Sequence, residues 1–264
     1  MPSRHLLRQP DQAEESQTSQ ARFRRRFLVA TMVVAVVAAV VFLAYPGIDL
    51  WAARHFYLPG SGFHWSRTAI SDWTRNGFRL AYGATIATAV LGLVASVYAW
   101  RRPLGLDFAR SLYLLACLAV GPGLIANLIL KDHWGRARPV QVTEFGGKAR
   151  FTQPLVPASE CPRNCAFVSG EASNLYAMFF APAFLFPAWR AALLAAGVVG
   201  GLAAGLMRMA QGGHFLSDVI FAGVFMAVTA IMLHWLMFSV RPNWFAEGGP
   251  LHTRLLALVQ RRAA

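Results

Sequence analysis

Residues 27–48, FLVATMVVAVVAAVVFLAYPGI, contain no Asp, Glu, Lys or Arg and follow the basic cluster Arg22, Arg24, Arg25 and Arg26. A run of this kind fits the roughly 17–25 apolar residues that a helix needs to cross a bilayer, where the backbone must satisfy its own hydrogen bonds. The same four residue types are missing from residues 80–100, 111–130, 172–189, 191–207 and 219–240. The sequence therefore predicts an all-α fold, a polytopic membrane bundle of six transmembrane helices over residues 27–240. The first run is too long for the apolar part of a signal peptide and reads as an anchor.

Composition agrees, with 56% hydrophobic and 14% charged residues among 264. The net charge of +13 lies at helix ends and in loops rather than on one soluble face, so anionic membrane lipids, and not nucleic acid, are the expected partners. Residues 1–26, polar and then basic, are expected to form a disordered cytoplasmic segment, and residues 241–264 a cytoplasmic tail. The positive-inside rule then places both termini in the cytoplasm and the loop after the third span outside. The outer loop 49–79 is rich in Trp, Phe and Tyr, as expected of interfacial anchoring. Cys161 and Cys165 lie in the longest outer loop, where an oxidising compartment leaves open whether they bridge or stay free.

Three polar clusters interrupt the apolar pattern. Lys131-Asp132-His133-Trp134-Gly135-Arg136-Ala137-Arg138-Pro139 follows the third span, Val168-Ser169-Gly170-Glu171-Ala172-Ser173 opens the fourth, and residues 208–218 join the fifth to the sixth. Counting crossings puts all three on one side of the membrane, whichever way the bundle is inserted. Cations at membrane ends are costly unless they pair or serve an anion, so Lys131, Arg138 and Arg208 suggest a convergent anion pocket. Guanidinium forks and a lysine point charge suit phosphoryl oxygens. Ser169 and Gly170 would add the free N–H groups of a helix start. His214 and Asp218, four residues apart, share a helix face, so the carboxylate could orient the ring. Singly, each has a structural reading: a snorkelling anchor, a helix start, a core histidine. Their concentration on one side, in a chain with two lysines, favours a site.

These residues resemble the signatures of the type 2 phosphatidic acid phosphatase family, which shares its catalytic core with vanadium haloperoxidases and glucose-6-phosphatase. Lys131 to Arg138-Pro139 fits Lys, six residues, Arg-Pro; Ser169-Gly170 fits the centre of Pro-Ser-Gly-His; Arg208, His214 and Asp218 fit Arg, five residues, His, three residues, Asp. The resemblance implies a membrane phosphatase whose site faces the periplasm from the inner membrane of a bacterial-type cell. His214 would be the nucleophile that forms a phosphohistidine and Asp218 its orienting partner. Lys131, Arg138, Ser169, Gly170 and Arg208 would hold the phosphate, and neither metal nor cofactor is required. The substrate would be a lipid phosphate monoester or diphosphate. An envelope glycolipid such as lipid A suits the basic loop residues Lys148, Arg150 and Arg163.

The departure is at the family's general-acid histidine, where this chain has Glu171, and at the preceding proline, where it has Val168. Burial would raise the pKa of Glu171 and neighbouring arginines would lower it, so several readings stand: Glu171 is the acid, His133 substitutes, the leaving group needs little protonation, or the chain is a non-catalytic lipid binder. Lipid-to-lipid phosphotransfer is the competing reaction.

Overall fold

In a computed structural model, residues 9–98 and 103–263 of the chain are described. Helix α1 (Gln9–Ala44) is followed by the short α2 (Gly47–Arg54) and a small antiparallel hairpin of β1 (Tyr57–Leu58) and β2 (Gly62–Phe63). Helix α3 (Ala69–Tyr98) returns across the bundle. Helix α4 (Phe108–Leu118) runs through a π-helical stretch, Ala119–Leu130, into the single turn α5 (Lys131–His133). The stretch contains Pro122, which cannot donate to the helical ladder and crowds the preceding turn. Asn127 Nδ2 donates to the Pro122 carbonyl at 2.7 Å.

Helix α6 (Gly170–Leu185), α7 (Arg190–Ala210) and α8 (Leu216–Trp235) form the centre. The last of these continues as a π-turn to Val240, and α9 (Pro242–Phe245) and α10 (Pro250–Ala263) complete the chain. Among the described residues, five helical segments are long and apolar enough to cross a membrane: Gln17–Ala44, Ala69–Tyr98, Phe108–His133, Pro187–Ala210 and Leu216–Val240. The chain is an all-α, multi-pass membrane protein.

The fourth expected span, residues 172–189, takes a different form. Helix α6 has 16 residues, just under the usual length of a span, and carries the chain from the site to the opposite end of the bundle, where the Phe184 carbonyl meets Gln20 of α1. It stops because Pro187 disfavours helical geometry at Phe186, whose φ is −121° and ψ 80°. Helix α6 is instead the buried hub, packed against α3, α4, α7 and α8. Its neighbours approach closely because they present glycine. A Cβ on Gly201 would lie 2.5 Å from the Tyr176 ring, and one on Gly197 would meet the Phe180 ring.

The segment expected to be disordered is helical from Gln9 onward and continuous with α1, while residues 1–8 lie outside the described residues. Its sequence up to Arg26 is rich in good helix formers. Gln20 also ties it down, donating to the Phe184 carbonyl at 2.9 Å and accepting from Arg190. The second expected span begins earlier than read, so Arg75 and Arg79 belong to α3 rather than to a loop, and Ala99 and Trp100 lie outside the described residues. In the aromatic outer segment, Trp51, Trp65 and Trp73 are exposed, as anchors require, whereas Phe63 packs with Tyr57 and Phe145.

Cys161 and Cys165 are bonded, with their Cα atoms 5.6 Å apart, within the long loop that leads from α5 to α6. That loop is pinned by main-chain bonds from Cys165 to Lys131 (2.8 Å), from Ala166 to Arg136 (2.8 Å) and from Ser169 to Asp218 (3.2 Å). Gly201→Ala should cost about 1–3 kcal/mol by overpacking Tyr176. Thermal unfolding in detergent should show a lower Tm than wild type; an unchanged Tm would contradict this packing of α6 on α7.

Candidate active site

The loop between α7 and α8 turns sharply at Gly212, where φ is +67°, and delivers His214 into the interior with no exposed surface. The ring's Nδ1 lies 2.7 Å from the Ala166 carbonyl, which can only accept, so Nδ1 carries the proton. Asp218 Oδ2 is farther away, at 3.8 Å. The backbone carbonyl therefore holds the ring's orientation, and the carboxylate contributes its field from beyond hydrogen-bond distance. Nε2 is left with no partner among the described residues. Burial chiefly, with the charges of Lys131 and Arg208 adding, pushes His214 down to about 4 against the opposing pull of Asp218. Near neutrality the ring is uncharged and its Nε2 lone pair is available.

Asp218 is occupied by another residue. Arg136, fully buried in the signature loop, donates from Nη1 to Asp218 Oδ1 at 2.5 Å and from Nη2 to Asp49 Oδ2 at 2.8 Å. It also donates to the Ser217 hydroxyl (2.8 Å) and to the Thr152 carbonyl (3.0 Å), and its guanidinium sits 4.6 Å from the centre of the Phe215 ring. Asp49, from α2, accepts from the Ser217 amide (2.8 Å) and hydroxyl (2.5 Å). Burial raises the Asp49 carboxyl against the pull of Arg136. The two carboxylates overcome the burial penalty on Arg136 and raise its pKa further. Every polar group of this cluster is engaged, which is the condition under which buried charge is tolerated.

Around His214 the expected cations gather. Lys131 Nζ lies so near Gly170 that a Cβ there would be 2.5 Å from it, which explains glycine at this position. Lys131 feels the charges of Glu171, Arg138, Arg208 and Arg75. Arg208, in the last turn of α7, bonds Gln211, which in turn bonds Ser71 of α3. Arg138 is held by Asn164, its Nη2 donating to the carbonyl at 2.7 Å and to Oδ1 at 2.8 Å. Ser169 occupies the position before the first residue of α6, and its buried hydroxyl makes no capping bond and has no partner among the described residues. Glu171 faces two guanidinium groups, Arg75 Nη2 at 3.1 Å and Arg208 Nε at 3.5 Å.

His133 is exposed and bonded back to the Ile129 carbonyl, so it does not join the cluster. Among the basic loop residues, Arg150 pairs with Glu160 at 3.3 Å and Arg163 with Asp132 at 3.4 Å. Asp49, Arg75, Arg136, Ser217 and Asn164 were not singled out from the sequence. Arg136 alone carried a signal, a third cation inside the first signature. Among the described residues, no group of His, Cys, Asp and Glu has the arrangement of a metal site.

The model of the PAP2 superfamily matches residues 110–242, which hold all three signatures. The lipid A 4'-phosphatase of Francisella tularensis subsp. novicida is 34% identical over 224 residues, covering 83% of this chain and 97% of that protein. The lipid A 4'-phosphatase of Rhizobium etli is 36% identical over 195 residues, 68% of this chain and 75% of that protein. A lipid A 1-phosphatase of the same organism is 36% identical over 148 residues, 54% and 58% of the two chains. No solved structure matches. Asp49 and Arg75 lie outside the matched region, so elements preceding it supply part of the cluster.

Two outcomes follow from this geometry. A histidine whose pKa falls from 6.5 to about 4 on folding stabilises the protein above pH 6.5, and that contribution is lost as the pH falls toward about 4. Nitrogen NMR of histidine-labelled protein should find His214 still neutral, protonated at Nδ1, below pH 6.5; a ring that protonates there would refute the assignment. Asp49→Ala leaves Arg136 short of a partner and should destabilise the fold by about 3–5 kcal/mol in thermal or denaturant unfolding.

Proposed function

The chain belongs to the PAP2 superfamily and is a membrane phosphatase, and from that premise we propose that it removes a phosphate monoester group from lipid A at the periplasmic face of a bacterial inner membrane. The observation that carries the mechanism is the neutral, buried His214, its Nδ1 pinned and its Nε2 unpartnered among the described residues, beside Lys131, Arg138 and Arg208. The lipid A phosphatases of Francisella and Rhizobium support the substrate. Two features support the orientation. A bonded cysteine pair in the loop on the site's side suits an oxidising compartment, and the arginine-rich end of α1 lies at the opposite side of the bundle. Both termini are then cytoplasmic.

In the first step the Nε2 lone pair attacks phosphorus and the bond to the sugar oxygen breaks, leaving a phosphohistidine. Lys131, Arg138 and Arg208, with the Ser169 hydroxyl and the amide groups at the start of α6, offset the charge on the phosphoryl oxygens. Arg136 and Asp49 position Asp218, whose carboxylate stabilises the positive charge that develops on the ring.

The departing sugar oxygen needs a proton, and at rest Glu171, facing two guanidinium groups, is a carboxylate. An incoming phosphate competes for Arg75 and Arg208 and places a like charge beside Glu171, both of which favour its protonation. Glu171 thus gains its proton when substrate is bound and passes it to the leaving oxygen. As a carboxylate again, it takes a proton from the water that attacks the phosphohistidine. The N–P bond breaks, inorganic phosphate leaves and His214 returns neutral.

Phosphate release from lipid A by detergent-purified protein tests this. His214→Ala should lose activity by several orders of magnitude. Glu171→Gln should fall about 10²–10⁴-fold on lipid A, yet keep most activity on p-nitrophenyl phosphate, whose leaving group needs little protonation. Equal losses on both substrates would remove Glu171 from the role of acid. Phosphate appearing on an acceptor lipid rather than in solution would make the protein a phosphotransferase.

A further inference from the structure

Helices α6 and α8 begin at the site and run away from it, so the last residues of each meet residues 17–24 of α1 and the first turn of α4 at the opposite end of the bundle. There the helices border an open pocket of about 730 Å³. Its wall carries Gln20 and Arg24 from α1, Arg110 from the first turn of α4, and His234 and Ser239 from the end of α8. Phe184 and Phe238 make it apolar toward the bundle interior.

His234 is 5% exposed. Its Nε2 lies 3.1 Å from Gln20 Nε2, while its Nδ1 has no partner among the described residues. Arg24 donates to the Ser239 hydroxyl at 2.7 Å. Arg190, which opens α7, bonds Gln20 and lies 3.8 Å from the centre of the Phe23 ring. Arg110 Nε lies 3.7 Å from Asp107. Arg24 and Arg110 thus line the pocket beside a buried imidazole whose Nδ1 has no partner among the described residues, and Arg190 stands behind Gln20.

We propose that this pocket is a second anion site, distinct from the catalytic one, which takes the phosphate of a phospholipid headgroup from the leaflet opposite the reaction. Guanidinium groups on separate helices suit a phosphodiester, whose oxygens can accept from both Arg24 and Arg110. A basic pocket between membrane helices is the arrangement that captures anionic headgroups from a bilayer. The His234 Nδ1 and the side chains of Gln17 and Thr18, on the same wall, would bond the remaining polar atoms of the headgroup. The aromatic floor would receive the first carbons of the lipid. The far ends of α6 and α8 carry Ser169 and Asp218, so a headgroup clamping α1 and α4 onto these two helices steadies the elements that hold the catalytic cluster.

The test compares the full chain in neutral detergent with the Arg24→Gln/Arg110→Gln double variant, both far from the reacting groups. Phosphatidylglycerol should raise the Tm of wild type by a few degrees more than phosphatidylcholine does, and the double variant should lose that difference while keeping phosphatase activity. A similar rise with inorganic phosphate, also lost in the double variant, would assign the same site to free phosphate instead of lipid. Should the double variant not fold, Arg110→Gln at its half-exposed position carries the same comparison. No headgroup-dependent rise, or a rise that survives the substitutions because the catalytic site alone binds the anion, would overturn the proposal.

Discussion

The arrangement depends on a buried arginine. Arg136 sits with no exposed surface between Asp49 and Asp218, and its donors also reach Ser217 and Thr152. Removing a guanidinium from water is costly, and the cost is recovered only when its donors and the facing carboxylates are all engaged. That demand fixes three distant pieces of chain at once: α2, the loop after α5, and the first turn of α8. His214 lies two residues before the turn so fixed, and Ala166, which holds its Nδ1, donates its own amide to the Arg136 carbonyl. One ionic cluster therefore sets both the position and the tautomer of the histidine.

Electrostatics around His214 divide into two zones. The inner zone, Asp49–Arg136–Asp218, is saturated. In the outer zone Lys131, Arg75, Arg138 and Arg208 share one carboxylate, Glu171, which leaves cationic charge for an anion. Glu171 faces two of those guanidinium groups where the related signature has a histidine. In the resting protein it thus acts as an internal counter-ion, a part that a histidine could not play.

The helical frame serves this division. As a short helix enclosed by α3, α4, α7 and α8, α6 can start deep in the bundle, with its first turn beside Lys131 and Arg208. Gly197 and Gly201 of α7 permit the close approach that holds it there, because in lipid helix association draws on tight packing rather than on water exclusion.

Polarity patterning along the chain was sufficient to establish the membrane bundle, because apolar runs of spanning length have few other stable fates. Helix direction then brought the three polar clusters to one face, and motif spacing picked out Lys131, Arg138, Ser169, Gly170, Arg208, His214 and Asp218. These features are local or follow from parity, so they are legible without coordinates. Tertiary structure alone decided that Asp218 binds Arg136 while a backbone carbonyl orients His214. It alone brought in Asp49 and Arg75 from earlier elements, left His133 outside the cluster, and made α6 a short, enclosed hub. Each of these depends on which groups meet across tens of residues of sequence, where burial and pairing of charge set the energy and residue spacing carries no trace of it.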